Sequence, residues 1–405
     1  MASHNAIITP IPEIIIIGDF GFPYGDAGAN LLRGHCAALL SAGFTVGMLP
    51  KVDRSGKLDD SPKIYKNIKY WEIPLAKPPL KYWHALENHF CLNDPRFDWL
   101  EKSDLKQVKA IIAYPGSCGT TAFLYRLKRL CHKHGIKLFC HVVEWFDWKH
   151  LSKKHALLNF ADSEFHRRVA MGWTDGIISI SDYLHAYYTR KGLKSVCIPP
   201  LLDLTDPKWK SDSDRLGLAQ FRPLRLLFSG TYKRDRHDII LRSLLELRQS
   251  GAKIVLDYLG STREQIQQEP GVGADLLNAL GAGVHFHGFV SEETVARLIR
   301  SASFGIILRD DLRWSQACFP SKVPEFNALG VPMISNLSSD LGRYLRDGEN
   351  SLVCPAVTAD ALCATLRRAW DLTEAQFNSM KLAARATAQR FDARNFAETY
   401  KKLIN

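Results

Sequence analysis

The 405-residue sequence predicts an α/β protein made of two doubly wound domains. Three observations carry this reading. Short β-branched runs alternate with helical stretches through the first half of the chain, the alternation stops at Ile198-Pro199-Pro200, and it then restarts in the same style. Alternating strands and helices build parallel sheets covered on both faces. Paired prolines continue neither a sheet ladder nor a helix, so 199–222 reads as a linker. The chain is also longer than one ordinary core accommodates.

The first domain, 1–200, opens on the apolar strand 14–17, followed by a glycine-rich loop and a helix near 29–42. Strand 44–49 comes next. The stretch 51–105, rich in Lys, Pro and aromatic residues, reads as irregular. Strands at 109–113, 136–143, 176–180 and 195–198 then alternate with helices near 120–134, 152–171 and 182–191. In the second domain, 201–385, strands are expected at 225–229, 253–259, 284–287, 304–308, 331–335 and 351–353. Two helices, near 358–390 and 392–404, finish the chain, and 386–405 is expected to pack back towards the first domain. The crevice between two such domains is the default ligand site.

Composition excludes several classes. Hydrophobic residues make up 46% and charged residues 23%, as in an ordinary globular protein. The run Ile14–Ile17 is too short to span a membrane, and no basic-then-apolar leader precedes it. The nine cysteines are scattered and form no CxxC pair, which argues against a disulfide framework or zinc site and for a reducing, cytoplasmic setting. The formal charge is +11, and residues 1–200 hold 26 Lys and Arg against 18 Asp and Glu. An anionic membrane surface or acceptor fits this balance, and so does a solvated basic face. Nucleic acid is not expected, because the basic residues are spread out and no recognised module is present. The segment Tyr125–Lys133 reads as a basic amphipathic helix, either a plain surface helix or one able to lie on anionic lipid at the inner face of a membrane.

Four segments carry chemistry. The loop Gly18–Asn30 leads from a buried strand into a helix, where Gly25 and Gly28 let a ligand approach the backbone and the helix start offers N–H groups to an anion; a plain strand-to-helix turn has the same composition. Its spacing is not G-x-G-x-x-G, so the dinucleotide fingerprint is absent. His141-Val142-Val143-Glu144-Trp145 ends a strand whose carboxyl edge faces the crevice, and the polar groups there suit sugar hydroxyls or a capped helix start equally. Lys233, Arg234 and Arg236 follow a strand directly, as a diphosphate-stabilising loop or a solvated one. In Phe319-Pro320-Ser321-Lys322-Val323-Pro324-Glu325, Lys322 and Glu325 share a helix face. That pair suits a ribose and a phosphate, or a surface ion pair.

Taken together, these segments resemble the retaining GT-B glycosyltransferases of family 4 over nearly the whole chain. Gly21–Asn30 resembles that family's G-x-P-x-G-x-A-x-x-N loop, and Gly230–Asp235 its cationic donor loop. Phe319–Pro332 is similar to its F-P-[ST]-K-x-x-E-x-x-x-x-G-x-P motif, and Asp347–Asn350 to its D-G-x-N turn.

The resemblance implies transfer of a sugar from a nucleotide-diphosphate sugar to a saccharide or lipid-linked acceptor hydroxyl, with retention, without cofactor or metal, and in surface polysaccharide or glycoconjugate synthesis. Glu325 would bind the ribose. Arg234 and Lys322, with Lys233, would hold the diphosphate beside Pro320 and Ser321. Gly25, Asp26, Gly28 and Asn30 would close over the donor phosphate, and Glu144 and His141 would face the donor sugar or the acceptor. Arg234, Lys322 and Glu144 are the expected catalytic residues. Three departures stand out: Ala317 where many relatives carry a second glutamate, Asp26 where a glycine is common, and Leu31 where an arginine often follows the asparagine. A sugar-nucleotide isomerase, or an idle nucleotide-sugar-binding module, are the rival readings.

Overall fold

The computed structural model describes residues 10–25, 27–50, 61–73, 94–115, 120–147, 156–209, 223–230 and 232–405. The chain divides into two compact units, Met1–Leu201 with Ala393–Asn405, and Leu202–Asp392.

In the first unit the described strands are β1 (Ile14–Gly18), β2 (Val46–Leu49), β3 (Lys63–Tyr65), β4 (Ile68–Tyr70), β5 (Ala110–Tyr114), β6 (Lys137–Val142), β7 (Gly176–Ser179) and β8 (Ser195–Cys197). They form one sheet in the order β3-β4-β2-β1-β5-β6-β7-β8. Every pairing is parallel except β3 with β4. Central β1 is wholly buried, as a parallel strand covered on both faces must be. The helices are α1 (Ala27–Ser41), α2 (Pro95–Lys102), α3 (Thr120–His134), α4 (Ala156–Arg168) and α5 (Asp182–Arg190). Helix α1 packs tightly because Gly34 lets it approach the backbone: a Cβ there would lie 2.1 Å from the Leu201 carbonyl oxygen.

The hairpin β3–β4 and helix α2 fall in the stretch expected to be irregular. The hairpin turn is made by Lys66 and Asn67, both left-handed at φ 47° and 66°, the conformation two-residue hairpin turns demand. Both elements are too short to leave a periodic signal in the sequence. Helix α2 is started by Asp94, which accepts from the Arg96 amide, and by Pro95 in its first turn.

The second unit holds β9 (Leu224–Ser229), β10 (Ile254–Leu259), β11 (Val284–Phe286), β12 (Phe304–Ile307), β13 (Met333–Ser335) and β14 (Ser351–Val353). Its sheet runs β11-β10-β9-β12-β13-β14, entirely parallel. Helices α6 (His237–Gln249), α7 (Arg263–Gln267), α8 (Ala274–Leu280), α9 (Glu292–Ser301), α10 (Arg313–Ala317) and α11 (Lys322–Ala328) connect them. The single helix expected at 358–390 is two, α12 (Ala359–Asp371) and α13 (Glu374–Ala388). Leu372 is extended at ψ 139°, and Thr373 restarts the helix with a capping box to Gln376.

The chain then returns to the first unit through α14 (Ala397–Ile404), which buries Tyr400, Leu403 and Ile404 in that unit's core. Its last carbonyls accept from two lysines: Lys137 Nζ reaches Ile404 O at 2.6 Å, and Lys194 Nζ reaches Leu403 O at 3.1 Å. Cations at a helix C-terminus satisfy orphan carbonyls and complement the dipole.

Candidate functional site

In the second unit the site residues gather at the carboxyl edge of the sheet. Strand β9 ends at Ser229, and Tyr232–Arg234 form one 3-10 turn before α6. Asp235 anchors this turn from inside. Its Oδ1 accepts from the Leu308 amide at 3.1 Å and lies 3.4 Å from Arg309 Nε, with both side chains buried. Arg236 is committed to Asp238 and Asp310, at 2.9 and 3.0 Å. Of the three cations in this loop, Arg236 is therefore bound up in structure. Lys233 is exposed, with its Nζ 5.4 Å from the Tyr232 ring centroid. Arg234 is half-buried, with its Nη1 3.7 Å from Cys318 Sγ.

That contact sets the cationic loop against the turn that carries the next motif. Helix α10 ends at Ala317, which is buried, and Cys318-Phe319-Pro320 lead into Ser321 and α11. Phe319 is locked in place by ring contacts to Tyr344 and Phe391. On the first turn of α11, Lys322 Nζ meets both oxygens of Glu325, at 3.1 and 3.0 Å. The Glu325 side chain is 9% exposed and that of Lys322 20%. A carboxylate this buried needs such a partner.

The D-G-x-N turn is structural. Gly348 is left-handed at φ 75°. Asn350 Oδ1 accepts from the Arg346 amide at 2.7 Å, and its Nδ2 donates to Tyr344 O at 2.8 Å and Thr387 Oγ1 at 2.7 Å. Asp347 pairs with Arg368 at 2.9 Å.

In the first unit the loop after β1 is held by α1. Gly18 touches β5 so closely that a Cβ would lie 1.9 Å from Tyr114 O. The Phe22–Pro23 bond is cis and Gly25 has φ 151°. Arg33 donates from Nη1 to Pro23 O at 3.1 Å and from Nη2 to Asn30 Oδ1. Asn30 thus orients the arginine that pins the loop, and that arginine stands two residues beyond Leu31. Gly28 stands half-buried in the first turn of α1. Asp26 lies outside the described residues.

Beside this loop a cavity of about 230 Å³ is lined by Asp19, Tyr114, His141, Glu144, His166 and Arg167, among others. It opens at the carboxyl ends of β1, β5 and β6. His141 is buried, and its ring lies 4.3 Å from that of His35. Burial, with the neighbouring His35 imidazole second, holds His141 well below the usual histidine range. His35 is pushed down to about 3 by burial alone, and its Nδ1 faces the Tyr400 hydroxyl. His166 is pushed to about 3, chiefly by burial. All three rings are therefore neutral near pH 7, able both to donate and to accept. Glu144 is half-buried, and its carbonyl accepts from Arg167 Nε at 2.8 Å.

The structure thus places Arg234, Lys233, Pro320, Ser321, Lys322 and Glu325 on one unit, and Gly25, Gly28, Asn30, His141 and Glu144 on the other. Sequence reading did not single out Asp19, His35, His166, Arg167 or Arg309; partners such as Tyr400 for His35 and Asp235 for Arg309 lie far off in the chain.

Residues 223–371 match the family model of glycosyl transferases group 1. The match takes in both the cationic loop and the Lys322–Glu325 helix. No curated protein matches the chain in sequence. Solved structures resemble it over nearly all its length. A sucrose-phosphate synthase from Thermosynechococcus elongatus is 17% identical with a TM-score of 0.72, covering 96% of this chain and 97% of that one. HepE of Anabaena, solved in complex with UDP-glucose, is 14% identical with a TM-score of 0.64 over 96% and 98%. An α,α-trehalose-phosphate synthase (UDP-forming) from Burkholderia xenovorans, in complex with glucose-6-phosphate, is 12% identical with a TM-score of 0.63 over 97% and 99%. The fold is GT-B: two α/β units with mostly parallel sheets, the glycosyl transferases group 1 match lying within the second. Among the described residues no helix is long and apolar enough to cross a membrane.

Proposed function

We propose that this chain is a retaining glycosyltransferase that moves a sugar from a nucleotide-diphosphate sugar to an acceptor hydroxyl. The observation that carries the reading is the pairing of Lys322 with a nearly buried Glu325, beside a cationic turn that touches the same motif through Arg234 and Cys318. The group 1 match over these residues supports it, as do relatives of the same fold solved with UDP-sugars.

In this reading Glu325 accepts the ribose hydroxyls while Lys322 turns to the diphosphate. Arg234, with exposed Lys233, meets the phosphate oxygens. The acceptor oxygen attacks the anomeric carbon on the face the nucleotide leaves, and the bond from that carbon to the β-phosphate oxygen breaks. The departing oxygen keeps the electron pair and takes the acceptor's proton. Fixed cations stabilise the charge that builds there, so the chemistry needs no metal. His141 and Glu144 serve the sugar or acceptor side. The acceptor is a saccharide or a lipid-linked one, which fits assembly of a surface polysaccharide or glycoconjugate in the cytoplasm, at an anionic membrane.

The test is a thermal-shift panel of UDP, GDP, dTDP, ADP and CMP, with Mg²⁺ and with EDTA. Ligand at a hundred times its dissociation constant adds about 2.7 kcal/mol. One diphosphate should stabilise the wild type, indifferent to EDTA, and the effect should shrink in Glu325→Ala. Unchanged affinity in that variant removes the ribose role; no shift with any nucleotide overturns the reading, and a requirement for Mg²⁺ overturns its metal-free form. Radiolabelled transfer, with the linkage read by NMR, then separates transfer from isomerisation and retention from inversion.

A further inference from the structure

The first unit carries an exposed apolar ridge that its own fold does not use. Leu157, Leu158, Phe165 and Val169, on and just after α4, are 71%, 60%, 46% and 49% exposed, and Tyr125 of α3 is 50% exposed. Leu158, Ala161, Phe165 and Val169 recur at steps of three and four residues, so they form one stripe along the solvent face of α4. The ridge is continuous with α3 through Trp173, whose ring lies 6.1 Å from Phe165 and 5.9 Å from Tyr125. Contiguous exposed apolar surface of this kind marks an interaction site, whereas single exposed residues need no explanation.

Its surroundings are cationic. Lys128 Nζ sits 5.6 Å from the Trp173 ring centroid, and Arg129 beside it is exposed. Exposed Arg168 borders the other side, with its carbonyl accepting from exposed Lys191 at 2.9 Å. The acidic residues of α4 are turned inward to structure: Asp162 accepts from the Thr120 amide and hydroxyl, and Glu164 accepts from Trp145 Nε1 and Arg168. Arg126, in contrast, stacks at 4.0 Å on Phe97 and is half-buried. The cationic face is therefore that of Lys128 and Arg129 together with α4, not the whole of the Tyr125–Lys133 helix.

We infer that this α3–α4 face docks on the surface of an anionic lipid bilayer, with the leucines and Phe165 entering the interface and Lys128 and Arg129 meeting headgroups. An apolar ridge flanked by cations is what such a surface selects, because apolar burial and lipid charge act together. The inference rests on the first unit alone. It sharpens the proposed reading by favouring a lipid-linked acceptor, yet its failure leaves the nucleotide test untouched.

The experiment is co-sedimentation of the full chain with vesicles of phosphatidylcholine alone and of phosphatidylcholine mixed with phosphatidylglycerol. Binding is expected to the mixed vesicles only. Lys128→Gln and Arg129→Gln should each lower it about 5-fold. Leu157→Ser with Leu158→Ser, and separately Phe165→Ser, should each lower it about 10-fold or more. All should keep the wild-type melting curve and nucleotide shift, so that lost binding is not lost folding. The inference is overturned by no binding to mixed vesicles, by equal binding to both, or by binding indifferent to these changes. Concentration-dependent self-association without lipid, abolished by the same variants, overturns it in favour of a contact between copies.

Discussion

The carboxyl edges of the two sheets are built alike and furnished differently. In the second unit the clearest pairs are charged and local in sequence: Lys322 with Glu325 three residues on, and Arg236 with Asp238 two residues on. In the first unit three buried, neutral histidines, His35, His141 and His166, stand among groups drawn from far apart in the chain, with Asp19, Glu144 and Arg167 also lining the cavity. His35 and Tyr400, which meet there, are 365 residues apart, and the cavity joins β1, β5, β6 and α4. Under the proposed function the difference is one of physical task. Holding a diphosphate calls for fixed charge, which a buried site supplies only when each charge has its own partner until the ligand arrives. Recognising hydroxyls calls for neutral groups that donate and accept, and burial makes histidine such a group.

The largest effect should come from removing charge at the second edge. Arg234→Ala and Lys322→Ala should each lower turnover by about 100-fold or more, given that one lost charge-stabilising donor costs about 3 kcal/mol. Steady-state rates with the nucleotide sugar named by the thermal-shift panel check this. A rate within a few-fold of wild type for either variant breaks the contrast, because the second edge would then be no more chemical than the first.

The next effect separates the edges by pH. The His35 ring titrates at about 3 in the folded chain, against 6.5 unperturbed, and burial is the cause. The unfolded chain therefore binds the proton first. Stability is intact above about pH 6.5 and falls as pH drops towards 3, by about 1.4 kcal/mol per pH unit for each such histidine. His166, also near 3, adds to the slope in the same direction. Chemical denaturation at a series of pH values, followed by tryptophan fluorescence, should show the slope, and His35→Phe should flatten part of it. An unchanged slope in that variant would mean that His35 already finds water or a proton in the folded state.

A smaller effect tests whether resemblance to a motif means chemistry. Asn350 makes three hydrogen bonds that join the approach to β14 with α13, and it is buried. Asn350→Ala should destabilise the second unit by about 2 kcal/mol, the scale of a few lost or orphaned polar partners. Nucleotide affinity should not move. A loss of affinity with unchanged stability would put Asn350 in the site after all.

These contrasts explain what was legible in the sequence. The strand Ile14–Gly18 announces itself because a covered parallel strand is one unbroken apolar run. The Lys322–Glu325 pair is legible because helical spacing fixes its geometry locally. The hairpin at Lys66-Asn67 is not, since its turn lacks the Asn-Gly or Gly-Gly signature and its strands are three residues each. The break at Leu372-Thr373 was hidden because a threonine in a run of helix formers reads as ordinary until its capping box is seen. His166 and Arg167 carry no local pattern at all; their meaning arises only when α4 is laid against β6.

The smallest effect on stability concerns the loop that both readings of the first edge share. Arg33 bridges Pro23 O and Asn30 Oδ1 from one turn along α1, and its guanidinium lies 5.7 Å from the Tyr24 ring centroid. It is only partly buried, so water replaces much of what is lost when it is shortened. Arg33→Gln should cost about 1 kcal/mol of stability, within the range of a net hydrogen bond. Its consequence for function should exceed that cost. Under the proposed function this loop meets a phosphate through a held geometry, and a shift of about 1 Å in a positioned group lowers rates by about 100-fold. Turnover in Arg33→Gln should therefore fall further than its melting temperature suggests, with nucleotide affinity in the second unit unchanged. Equal and small losses in rate and stability would reduce Gly25, Gly28 and Asn30 to a strand-to-helix turn, and the first edge would keep only its cavity.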